Sequence, residues 1–224
     1  MRDTFFEKPH ANTPLPSNFA AIKYDMHTLH FVIALIAYYA LHSILAADGV
    51  KAKLTKLVPQ RYYRLGYNLL AVGLFAAVFI LYFLVEKSPL WTPNPILPYI
   101  GVFIAMAGIS WIVRALKKYN LKEFMGLEQL RTGQKPVHTK LIIRGMNGRV
   151  RHPLYFGTLL TVWGVLFIFP TDAMFSFALI STIYVIMGSR LEEEKLVAQF
   201  GEAYRRYQRD VPMLVPFRFK KFRF

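Results

Sequence analysis

The sequence predicts an all-α integral membrane protein: five transmembrane helices, a C-terminal helical hairpin and a cytoplasmic helical cap. Three observations carry that prediction. Of 224 residues, 54% are hydrophobic and 18% charged, whereas a soluble domain is nearer a quarter charged. Five stretches, 28–47, 65–85, 95–113, 153–171 and 173–189, lack any Asp, Glu, Lys or Arg. About 20 apolar residues span a bilayer, so each qualifies, the last when extended to 191. Lys and Arg then alternate between the loops: 3 in the N-terminal arm, 5 after the first span, 1 after the second, 10 in 114–151, none in the next turn and 9 in the tail.

Taken in order, residues 1–24 read as a loose or surface-lying arm. They hold proline and charge and no apolar core, which excludes a signal peptide. Residues 25–224 form one membrane domain. The loop alternation is the positive-inside pattern, with the N-terminus outside and the C-terminus in the cytoplasm. It puts 24 of the 28 basic residues on one side. The formal charge of +15 is therefore topology and attraction to anionic membrane lipids, and nucleic-acid binding is not expected. The first span carries His27, His30 and His42. With no cysteine and no carboxylate cluster in that span, polar lining of the bundle is the reading, and no metal site is expected. Trp91, Tyr99, Trp111 and Tyr119 near span ends fit an interfacial aromatic belt.

Residues 119–147 are polar and glycine-bearing and are expected to fold over the cytoplasmic face. Spans four and five are separated only by Pro170, Thr171 and Asp172, so they form a tight antiparallel hairpin. Its open ends meet on one side. One end carries Arg151 and His152, the other Arg190 and Glu192–Glu194. Pro153 suits the first turn of a helix, which leaves Arg151 and His152 at a helix N-terminus. A cation there needs a nearby anion: the glutamate pair, a lipid phosphate or a ligand carboxylate. Adjacent glutamates on a helix point about 100° apart, so at most two face one site. Beyond the last span, Leu196, Phe200, Tyr204 and Tyr207 recur at helical spacing. A helix over 192–210 follows, broken near Gly201 and ended by Val211–Pro216.

The run Arg151, His152, Pro153, Tyr155, Gly157, followed by Glu192, Glu193, Leu196, Phe200, Gly201, Tyr204, Tyr207, Val211 and Pro212, resembles the isoprenylcysteine carboxyl methyltransferase and phospholipid methyltransferase superfamily. Upstream, LHSILAADGVKAKL and RYYRLGYNLLA look like its NnrU-like branch, which includes methanethiol S-methyltransferases. The resemblance implies S-adenosylmethionine as methyl donor and a pocket at the cytoplasmic ends of the last two spans, in a bacterial inner membrane. It implies that Gly145, Arg151, His152, Pro153, Tyr155, Gly157, Glu193 and Tyr204 bind the donor. Arg151 with Glu192 or Glu193 would lie nearest the transfer. Family members often read G-P-Y-R before the V-R-H-P, whereas this chain reads Gly145, Met146, Asn147, Gly148 and Arg149, with Asn147 where the aromatic is commonly found. The resemblance also implies a small or lipophilic acceptor, a thiol or a prenylcysteine-like carboxylate. A phospholipid amine, a non-catalytic NnrU-like protein retaining the fold, and a nicotinamide-dependent reductase are the alternatives.

Overall fold

A computed structural model describes residues 26–92, 94–117, 120–133 and 141–216. The arm 1–24 and Tyr119 lie outside them. The described chain is helical: α1 (Met26–Ala46), α2 (Asp48–Leu54), α3 (Gln60–Leu84), α4 (Leu97–Leu116), α5 (Leu121–Met125), α6 (Leu127–Thr132), α7 (Pro153–Ile168), α8 (Asp172–Phe200) and α9 (Glu202–Asp210). No cysteine or disulfide constrains it.

Four helices, α1, α3, α4 and α8, are long and apolar enough to cross a bilayer. The fifth apolar helix is shorter than its charge-free stretch. α7 has 16 residues, or about 24 Å at 1.5 Å per residue, against a hydrocarbon core of about 30 Å. It stops at Ile168 because Pro170 lies two residues on and cannot continue a helix. α8 departs from expectation in the other direction. It starts at Asp172, where the Thr171 hydroxyl accepts from the Met174 N–H at 3.2 Å. It then runs 29 residues without a break, carrying Glu192–Glu194 as its own continuation. Gly201, at φ 56° and ψ −131°, ends it, and α9 turns away.

Small residues decide which helices pair. α4 lies along α7 with Gly101, Ala105 and Gly108 facing Gly157, Thr161 and Gly164. A Cβ on Gly164 would sit 2.5 Å from the Ala105 nitrogen, and one on Gly108 would sit 2.7 Å from the Gly157 carbonyl oxygen. Glycine at these positions lets the two backbones touch, the usual basis of close association in lipid, where burial against lipid tails provides little drive. Trp111 joins this seam, edge-on to Phe156 at 4.9 Å.

α1 packs between α3 and α8. Tyr39 hydrogen-bonds Ser181 at 2.7 Å and stacks on Tyr184 at 4.1 Å. At the hairpin end, buried Asp172 accepts from Ser88 N–H at 3.0 Å, Ala173 N–H at 2.7 Å and the Thr28 hydroxyl at 3.3 Å. One carboxylate thus ties α1, the loop after α3 and the hairpin. At the other end, α5 and α6 dock on α3. Asn68 donates to the Met125 carbonyl at 3.0 Å, and Gly126, at φ 89°, lies where a Cβ would be 2.8 Å from Leu65 N. Two cavities of about 490 and 630 Å³ lie between α3 and α7. The larger is apolar, lined by Phe75, Phe79, Val165 and Phe177 among others. The smaller is polar and lies at the end where α7 begins.

Candidate functional site

The site begins with how the chain enters α7. A short 3-10 turn, Gly145–Gly148, precedes the non-helical residues Val150–His152. The tail after α9 returns alongside them: Arg151 N–H donates to Pro212 O at 2.9 Å, and His152 N–H donates to Met213 O at 3.1 Å. Val150, Val211 and Leu214 are buried between them. The closing Val-Pro segment thus fixes the main chain just before the helix.

Side chains lock the same corner. Arg151 donates through Nε and Nη2 to the two oxygens of Glu193, the latter at 2.9 Å. Through Nη1 it donates to the carbonyls of Gln208, at 3.0 Å, and Val211. A guanidinium has five N–H donors, so the protein itself takes most of them. His152 Nε2–H donates to Glu193 Oε1 at 3.0 Å, and Gln208 donates to Oε2 at 2.9 Å. Glu193 is thus met by N–H groups of Arg151, His152 and Gln208, the set that an ionised carboxylate satisfies. Glu193 is buried and Arg151 nearly so, with side-chain exposures of 9% and 10%. Tyr204 packs beneath with Tyr207, edge to face at 5.6 Å. Its burial, and then the nearby Glu193 charge, push the Tyr204 phenol up, so it stays neutral.

Glu192 differs from its neighbour. It is 49% exposed and faces the polar cavity. It accepts from the Tyr155 hydroxyl at 3.1 Å and lies 3.7 Å from His152 Nδ1. Tyr155 stacks on the His152 ring at 5.5 Å and 16°. Arg151, His152, Pro153, Leu154, Tyr155 and Glu192 form one wall of the cavity. No side chain caps the first turn of α7. The facing wall comes from α1, α2 and α3: His42, Lys51, Tyr63, Arg64, Tyr67 and Asn68, with Phe124 of α5 at the edge.

The family model described as NnrU protein matches residues 30–213, which includes both walls. This chain belongs to the NnrU protein family. Within it, the chain is similar to the methanethiol S-methyltransferase of Crocosphaera subtropica, 31% identical over 84% of this chain and 75% of that protein. The protein of the same name from Pseudomonas deceptionensis is 30% identical over 82% and 71%. That from Mycobacterium tuberculosis is 28% identical over 82% and 76%. No solved structure matches the chain.

In this NnrU-family protein the residues singled out from sequence divide into three groups. Arg151, His152, Pro153, Tyr155 and Glu192 meet at the cavity. Glu193 and Tyr204 stand behind that wall and hold it. Gly157 and Gly145 are elsewhere. Gly157 is buried in the α4–α7 seam, its Cβ position 2.8 Å from Ile112, and Gly145 is exposed at the start of the 3-10 turn, at φ 68°. Asn147 does not line the cavity. It donates to the Ile142 carbonyl at 3.0 Å and accepts at its own carbonyl from Tyr207 at 2.6 Å, so it organises the loop. Among the described residues, no three His, Cys, Asp or Glu side chains converge as metal ligands.

The facing wall was not picked out from sequence as part of the site. Its signal was present. Arg64, Tyr67 and Asn68 are spaced i, i+3, i+4 and so share a helix face, at the start of an otherwise apolar span.

Proposed function

We propose that this protein is an integral membrane methyltransferase that moves a methyl group from S-adenosylmethionine to a small thiol. The observation that carries the reading is the polar cavity where the uncapped start of α7 and the exposed carboxylate of Glu192 converge. The names of the relatives supply the reaction class. The donor offers a carboxylate, an ammonium and an electrophilic methyl on a sulfonium. The residues present suit it. A helix N-terminus receives carboxylates, and Pro153 and Leu154 open that turn. Lys51 and Arg64 add positive charge across the cavity. Glu192 would hold the ammonium, oriented by the Tyr155 hydroxyl. A volume of about 490 Å³ falls in the range for ligands of this size, and leaves little space for a long lipophilic acceptor as well.

The chain's own residues contribute position and dryness. Arg151 and Glu193 fix the entry to α7, and the tail holds both. Methyl transfer needs acceptor, carbon and sulfur in line, and that demands a wall that does not move. Asn147 belongs to the loop scaffold, so the residue that departs from the superfamily pattern carries no argument against catalysis. The basic loops at this end of the bundle support a site on the cytoplasmic side, and the reading takes the membrane to be a bacterial inner membrane.

One experiment tests activity and orientation together. Membrane vesicles holding the protein receive methyl-labelled S-adenosylmethionine, a charged donor, from outside. Methanethiol, a prenylcysteine and phosphatidylethanolamine are offered as acceptors. Inside-out vesicles are expected to label methanethiol, and right-side-out vesicles to do so only after permeabilisation. Label on the prenylcysteine or the lipid amine, or on nothing, would contradict the reading.

A further inference from the structure

In the wall made by α1 and α3, Arg64 faces the donor, whereas His42, Tyr63 and Tyr67 have no part in holding it. His42, on α1, lines the cavity with Tyr63 and Tyr67 of α3. The Tyr67 hydroxyl lies 2.8 Å from His42 Nε2. Three rings surround the imidazole: Tyr67 at 5.1 Å, Tyr38 at 5.9 Å and Tyr184 at 6.3 Å. Tyr63 donates to the Leu45 carbonyl at 2.6 Å, which ties the end of α1 to α3 beside them. A polar group in an apolar helix is costly without a hydrogen-bond partner. Here the partner is a hydroxyl on the neighbouring helix, and both groups open on the cavity that Glu192 and Tyr155 enter from the other side.

We propose that His42, coupled to Tyr67, takes the proton from a thiol acceptor seated on the α1–α3 wall. This rests on the thiol methyltransferase reading above. A cysteine thiol has a pKa near 8.5, and a simple alkyl thiol, without that residue's electron-withdrawing backbone, is less acidic still; it is protonated at neutral pH, so its transfer needs a base. Glu193 cannot serve, since N–H donors enclose it, and Glu192 is engaged with Tyr155 and the donor's ammonium. In the step, the S–H bond breaks and its electron pair stays on sulfur. The proton ends on the His42 imidazole, with the Tyr67 hydroxyl able to pass its own proton to Nε2 and take the thiol's. The thiolate sulfur bonds to the methyl carbon, the carbon–sulfonium bond breaks, and its pair returns to the donor sulfur. The imidazolium then gives its proton to water. A carboxylate acceptor would need no such group, so the wall itself selects the substrate class.

The test compares two thiols in the purified full-length protein. Ethanethiol is protonated at neutral pH, and 4-nitrothiophenol is already largely ionised. With His42→Gln, transfer to ethanethiol is expected to fall about 100-fold, the scale of general-base catalysis, while transfer to 4-nitrothiophenol stays within about threefold. Affinity for S-adenosylhomocysteine should be unchanged, which also reports folding. Tyr67→Phe should show the same split between the thiols in smaller measure. Equal losses on both thiols, or no loss on either, would overturn the assignment in whichever variant binds S-adenosylhomocysteine. If the wild-type protein methylates neither thiol, the thiol reading itself fails and takes this inference with it.

Discussion

Replacing Glu193 by Ala is expected to destabilise the protein by about 3–5 kcal/mol, the cost of leaving a buried partner charge uncompensated. Arg151 is the charge left behind. Two of its nitrogens and one each of His152 and Gln208 lose their acceptor together. For a chain of this size that corresponds to a fall in Tm on the order of 10 °C, measured by thermal unfolding in detergent. Glu193→Gln should move the same way to a smaller extent, because it keeps one acceptor oxygen and turns an N–H₂ toward donors. Methyl transfer should fall in both, through loss of the wall. An unchanged Tm in Glu193→Ala would mean that the carboxylate acts on a ligand and not on the fold.

Glu192→Gln should do the reverse. Its carboxylate is half-exposed, accepts from one hydroxyl and lies 3.7 Å from His152 Nδ1, so Tm should stay within about 2 °C, as for surface substitutions generally. Affinity for S-adenosylhomocysteine should fall about 10- to 100-fold, since a hydrogen bond to a charged group contributes about 1.5–3 kcal/mol. Isothermal titration of the two proteins side by side measures it. Equal affinity would remove Glu192 from the donor site. Two neighbouring residues of one type thus separate into a framework role and a binding role.

That division was not legible in the sequence. Adjacent helical residues point about 100° apart, so one glutamate had to face inward, but nothing in the string says which. Glu193 is chosen by the side chains of Arg151, His152 and Gln208, and Arg151 and His152 are held in place by carbonyls of residues 208–213, which reach them because α9 folds back. Main-chain carbonyls leave no trace in a sequence. The large features were legible for a matching reason. Five charge-free stretches and a three-residue turn constrain a chain strongly, and the turn alone brings residues 151–152 to residues 192–193.

The intermediate level was only half visible. Gly101, Ala105 and Gly108 announce a close-packing face, as do Gly157 and Gly164, yet no local rule pairs α4 with α7. Reading Gly157 as a ligand contact followed from its place in a motif. The motif position is equally well explained by the helix seam, where a Cβ would meet Ile112. The α1–α3 wall was missed because its residues come from two spans and acquire meaning only across the cavity from Tyr155 and Glu192. Lys51, His42, Tyr63 and Tyr67 look like ordinary interfacial residues until that cavity exists.

The central claim is that the polar cavity at the start of α7 binds the methyl donor. Calorimetric titration of the purified wild-type protein with S-adenosylhomocysteine tests it most directly. The account predicts saturable one-to-one binding. No heat from a protein shown to be folded would contradict it, and would leave the Arg151–Glu193 corner as framework alone.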